Sequence, residues 1–191
     1  PGYRLEIGGD AEKRADAMAD LVASVPVLVI LMIAAVALSL NSFRLAAVVF
    51  VIALQSMGFG LLSLALFGHP LGFQGIIGLI GLVGVAINAA IVIGSTLQAD
   101  PRSVRGDASR ISHVVLTETS RHIISTTVTT FGGFLPLILA EGGFWPPFAS
   151  AIAGGVVLST IGSFYFVPAA FAVLTRRRPL AHSRPYSEVP A

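Results

Sequence analysis

The sequence predicts an all-α membrane protein: a bundle of five transmembrane helices, a short amphipathic helix outside the bundle and a remnant of an extramembrane domain. Three observations carry this. Charged residues make up only 12% of the 191-residue chain, about half the share of an ordinary soluble domain. Apolar residues make up 54% and the mean hydropathy is +0.84. Five apolar stretches recur, and none has an ionisable side chain near its middle. A soluble chain of this size buries only about 70% of its surface, so it needs far more polar cover than this one has. The solvent that suits the composition is lipid.

Residues 1–20 form a polar lead-in. Tyr3, Leu5 and Ile7 alternate with Arg4 and Glu6 as in a short strand with one buried face, and Gly8 and Gly9 break the pattern. A helical pattern follows from Ala11 to Asp20, with Asp10 as the expected N-cap. The bundle occupies 21–174, with spans at about 21–40, 45–67, 72–97, 123–139 and 148–174. A span of about 20 residues at about 1.5 Å each crosses roughly 30 Å of hydrocarbon. Gly68-His69-Pro70 and the run from Glu141 to Pro147 are the turns on one side. Within the polar stretch from Gln98 to His122, Ile111, Val114 and Val115 form the apolar stripe of a short surface helix, and Glu118 stands three residues from Arg121 as an expected ion pair. Residues 175–191 read as a disordered, Pro-containing tail.

Basic residues orient the bundle. Arg44, Arg102, Arg105, Arg110, Arg121, Arg176, Arg177, Arg178 and Arg184 fall on one side, which the positive-inside rule makes cytoplasmic. The C-terminus is then inside and the lead-in outside. Trp145 sits where an interfacial aromatic belongs.

Several function classes drop out. The net charge of +2 and the clustering of basic residues at span ends argue against nucleic acid. The absence of cysteine removes thiolate chemistry and most metal motifs. His69, His113, His122 and His182 lack metal spacing and read as solvated. No catalytic motif occurs, so no enzyme, cofactor or metal site is expected.

Three features carry polarity or shape into the membrane. Gly72, Gly75, Gly78, Gly81 and Gly84 recur every three residues and draw a slowly winding groove of bare backbone. Such a groove serves either a sliding contact or static packing between helices. Asn88 follows it, as a cross-link between helices or as part of a proton or substrate path. Span four opens with Ser125, Thr126, Thr127, Thr129 and Thr130. Thr126 and Thr130 share a face, to be read either as a hydrated relay or as hydroxyls bonded to their own helix. Pro26, Pro136 and Pro168 bend their spans.

The motifs come in a recognisable order. Phe73-Gln74, the glycines to Gly81 and the run from Ala86 through Asn88 to Ile93 resemble the tenth span of resistance-nodulation-division (RND) transporters, in the branch of acriflavine-resistance drug pumps and heavy-metal pumps. The run from Arg121 to Leu137 resembles their eleventh span, and Ala153-Gly154-Gly155 through Phe166-Val167-Pro168 their twelfth. The resemblance implies spans eight to twelve of such a permease, with residues 1–20 ending a periplasmic domain and the amphipathic helix cytoplasmic. It implies a proton-coupled exporter of the inner membrane, working with the N-terminal half of the same transporter in a homotrimer, beside a periplasmic adaptor and an outer-membrane channel. Drug pumps of the family carry a lysine where this chain has Ile87 and an arginine where it has Thr119; of their polar relay only the threonine is matched, at Thr126. The rival reading is a non-transporting membrane scaffold or protein-export accessory subunit of the same superfamily.

Overall fold

The structure, a computed structural model, describes residues 9–176. The expected strand at residues 3–7 lies outside them, as does nearly all of the tail. The described residues are helical, without strands. Helix α1 spans Asp10–Leu40, α2 Phe43–Leu66, α3 Phe73–Ala99, α4 Pro101–Val104 and α5 Ala108–His113. A π-helical turn over Val114–Thr119 joins α5 to α6, Ser120–Ile138, and α7 spans Trp145–Arg176. Four helices are long and apolar enough to cross a membrane: α1 from Glu12, α2, α3 and α7 to Thr175. Helix α6 is not among them, because Arg121, His122 and its run of hydroxyls dilute its apolar residues.

Local chemistry accounts for the breaks. Helix α1 runs unbroken from the lead-in through Pro26, and its N-cap is Gly9 rather than the expected Asp10, which forms the first helical residue. It stops at Asn41, in the left-handed region at φ 42°, a conformation that a short polar side chain tolerates. Gly68 takes φ 71° after α2, where the His69 N–H donates back to the Leu64 carbonyl at 2.9 Å. Asp100 and Asp107 cap α4 and α5 with their carboxylates.

Helix α7 is the centre of the bundle and packs on α2, α3 and α6, while α1 lies at the edge against α2 and α3. Among the residues of α1 whose side chains are described, only Val36 and Leu40 are buried, and most of the other apolar ones face outward. Lipid tails are as apolar as leucine, so the contacts inside are decided by fit rather than by escape from water. Small residues make that fit where α2 crosses α7. Gly155 approaches the Gly60 backbone, a Cβ on it falling 3.2 Å from the Gly60 Cα. One turn on, the Ser63 hydroxyl donates to the Ser150 carbonyl at 2.6 Å.

The stripe Ile111, Val114 and Val115 does not lie on a surface. All three are buried, in one cluster with Ile93 and Leu97 of α3 and Val167 and Phe171 of α7. The linker between α3 and α6 is thus a docked part of the bundle.

Candidate functional site

The polar residues of α3 and α6 meet. Asn88, Thr126 and Thr130 line one open groove of about 230 Å³ between these helices, with Thr160 of α7 behind it and His122 at one end. Asn88 and Thr126 are exposed and Thr130 is half-buried. The Thr126 hydroxyl donates to the His122 carbonyl at 2.9 Å, one turn back on its own helix. No side-chain hydrogen bond joins Asn88 to another described residue, so its amide is free toward the groove. Thr127 and Thr160 place their hydroxyl oxygens 3.0 Å apart and tie α6 to α7. Among the described residues lining the groove, His122 is the one ionisable group. The groove offers an amide and hydroxyls, which bind and relay, and no carboxylate.

The neighbouring positions are closed. Ile87 is 8% exposed and belongs to the apolar cluster, while Asn88, about 100° further round the helix, is open. Thr119 is 2% exposed, and its hydroxyl donates to the Val114 carbonyl at 3.2 Å.

The glycine series does not face one partner. Steps of three residues on a helix of about 3.6 per turn drift by about 60° each. Gly72 is the N-cap of α3. A Cβ at Gly75 would touch Leu64 of α2, and one at Gly78 would lie 2.8 Å from the Phe148 carbonyl oxygen of α7. At Gly81 it would meet Ile152 at 3.4 Å, and at Gly84 nothing within 4 Å. Gly84 lies one turn before Asn88 and is exposed with it.

The linker has its own electrostatics. Glu118 pairs not with Arg121 but with Arg110, at 3.0 Å, and Arg110 also reaches Asp100 at 3.2 Å. Asp100 is held below the usual carboxylate range, first by the Ser103 hydroxyl and further by the Ser103 N–H and Arg110. Asp107 is lowered by the Ser109 hydroxyl and the Arg110 N–H. The hydrogen bond to Asp100 raises Arg110, and Glu118 adds to it. Of the histidines, His113 faces Arg110 with Nδ1 3.2 Å from the guanidinium, and His122 faces the groove.

Sequence reasoning passed over Thr160 and the Ser63–Ser150 contact. Their signal was small and hydroxylic residues at helical spacing: Ser56, Gly60 and Ser63 on α2, and Ser150, Gly154 and Gly155 on α7.

The sequence profile of the AcrB/AcrD/AcrF family matches residues 1–175. The chain belongs to that family. It is therefore part of an RND permease of the heavy-metal and multidrug branch, and a multi-pass membrane protein. Among curated relatives, the nickel and cobalt resistance protein CnrA of Cupriavidus metallidurans is 27% identical over 182 residues, 93% of this chain and 17% of that protein. The nickel-cobalt-cadmium resistance protein NccA of Alcaligenes xylosoxydans xylosoxydans is 26% identical over 184 residues, with the same shares. The multidrug resistance protein MdtC of Pantoea ananatis is 30% identical over 130 residues, 65% of this chain and 13% of that protein. The chain thus spans less than a fifth of the length of these relatives. No solved structure matches it.

Proposed function

We propose that this chain forms the last five spans of a proton-coupled RND exporter in the inner membrane, with the C-terminus cytoplasmic. Helix α6 is the fifth crossing: its 19 residues reach about 28 Å, enough for the hydrocarbon core. Its hydroxyl face turns inward, toward the N-terminal half of the same transporter. The periplasmic adaptor, outer-membrane channel and homotrimer of the family are the expected partners, and the names of the relatives favour a metal ion or a drug as the exported substrate.

The observation that carries the reading is the groove, where Asn88 of the apolar α3 and Thr126 and Thr130 of α6 stand together. A polar residue in a spanning segment is costly unless it has a partner or a task. In this reading the amide and hydroxyls bind and orient a titratable side chain, and water beside it, supplied by the other half. Proton-coupled efflux by the full-length transporter carrying Asn88→Leu or Thr126→Ala tests this. Both are expected to lower coupled efflux with expression unchanged, and unchanged coupling in both removes these residues from the relay.

The scaffold reading has one observation in its favour. Ile87 and Thr119, where drug pumps carry a lysine and an arginine, are buried and satisfied within this chain. The discriminator is the N-terminal half: an exporter of this kind supplies an intramembrane carboxylate facing Asn88, and a scaffold has no need of one.

A further inference from the structure

One guanidinium holds the linker between the two walls of the groove. Arg110, in α5, donates from Nε to Asp100 Oδ2 at 3.2 Å and from Nη2 to Glu118 Oε1 at 3.0 Å. Asp100 directly follows α3, and Glu118 lies two residues before α6. A single cation thus ties the end of one wall to the start of the other.

The second of these bonds depends on the π turn. On an uninterrupted α-helix, residues eight apart are offset by about 80°, eight steps of about 100°. The widened turn over Val114–Thr119 takes up one extra residue, which leaves seven effective steps and an offset of only about 20°. Arg110 and Glu118 then share a face. The buried Thr119 hydroxyl donates to the Val114 carbonyl, five residues back, inside that same turn.

On either side of the turn the helices are held very differently. Ile111, Val114 and Val115 anchor α5 and the π turn in the core. In α6 only Ile123 is buried. Beyond it, α6 is held by Phe134, which stands edge-on to Phe148 of α7, and by the Thr127–Thr160 contact; conversion of the π turn to α geometry would rotate α6 by about 100°, against both contacts, and carry Thr126 and Thr130 away from Asn88.

We propose that the Arg110–Glu118 pair, brought onto one face by the π turn, sets the rotational register of α6 and so holds Thr126 and Thr130 in the groove beside Asn88. Both are positioning residues. Their use in transport rests on the exporter reading; the register itself can be measured without transport.

Thr127 and Thr160 supply the measurement. Their hydroxyl oxygens are 3.0 Å apart, so cysteines at these positions come within disulfide reach when α6 keeps its register. The chain has no cysteine of its own. The experiment uses the full-length transporter in membranes, freed of cysteines elsewhere and carrying Thr127→Cys with Thr160→Cys, and reads the initial rate of crosslinking under mild oxidant. Adding Arg110→Ala or Glu118→Ala is expected to slow that rate by up to about five-fold, the ceiling for a partly exposed ion pair. Arg110→Lys, which keeps the charge, is expected to restore most of it. Deleting Thr117, an exposed residue of the π turn, leaves Arg110 and Glu118 seven apart and is expected to preserve the crosslink. An unchanged rate in both alanine variants overturns the inference, and so does loss of the crosslink on deleting Thr117. If crosslinking behaves as expected while Asn88→Leu and Thr126→Ala both leave coupled efflux intact, the register stands and the relay reading of the groove fails.

Discussion

Replacing Gly78 with alanine tests how α3 and α7 are held together. A Cβ there would lie 2.8 Å from the Phe148 carbonyl oxygen, 2.9 Å from the Ala151 Cβ and 3.3 Å from the Phe148 Cα. Two of these three atoms are backbone, so no rotamer change relieves the contact. Ordinary contact begins near 3.5 Å, so α7 must retreat by about 0.7 Å. It cannot do so freely, because it also carries the Ser63–Ser150 bond and the Gly60–Gly155 approach to α2. Overpacking of this kind costs about 1–3 kcal/mol. Alanine is also a better helix former than glycine, by about 1 kcal/mol, which would mask part of the loss. Gly84→Ala on the same helix carries the same gain and meets nothing within 4 Å. The difference between the two variants therefore isolates packing. Unfolding of the 191-residue chain in detergent by added dodecyl sulfate, followed by circular dichroism, should place Gly78→Ala below Gly84→Ala by about 1–3 kcal/mol. Equal stability, or the reverse order, would refute the close crossing at Gly78.

Three further outcomes follow from the same geometry. Gly84→Leu is expected to leave the isolated chain at least as stable as its parent and to abolish assembly of the full-length transporter, if the face shared with Asn88 receives the other half; a fully active full-length variant would count against that arrangement. Ser63→Ala removes the 2.6 Å bond to Ser150 and is expected to cost about 0.6–1.7 kcal/mol in the same unfolding assay. Asp100 is lowered in the folded state chiefly by the Ser103 hydroxyl, so its contribution is present above the unfolded carboxylate pKa and is lost as the pH falls through the lower folded value. Protection of the Ser103 amide, its exchange rate taken relative to intrinsic exchange at the same pH, should accordingly fall on acidification below the usual carboxylate range, and Asp100→Asn should flatten that dependence; pH-independent protection in the parent would contradict it.

Much of the bundle was legible because its signals are local. Runs of apolar residues bounded by Asn41, Gly68-His69-Pro70 and the loop from Glu141 to Phe144, shorter than the expected turn to Pro147 because α7 already starts at Trp145, mark helix limits, since backbone in lipid has to satisfy its own hydrogen bonds. The i, i+4 spacing of Thr126 and Thr130 marks a common face. Neighbours across helices carry no such local signal. Glu118 is three residues from Arg121 and eight from Arg110, yet it pairs with Arg110, because the π turn inserts a residue that α-helical spacing does not count. The Ile111, Val114 and Val115 stripe shows an apolar face without showing what covers it; the structure covers it with α3 and α7.

Composition and order of motifs alone establish a lipid-embedded helical chain, its hydroxyl and amide positions and its resemblance to the RND permeases. Periodicity specifies the face on which a residue lies and nothing about what stands opposite. The tertiary structure decides that Gly78 is a point of contact while Gly84 is open, since a three-residue repeat drifts about 60° per step and cannot keep to one partner. It likewise decides that Ile87 closes the core while Asn88 opens on the groove, one residue and about 100° away.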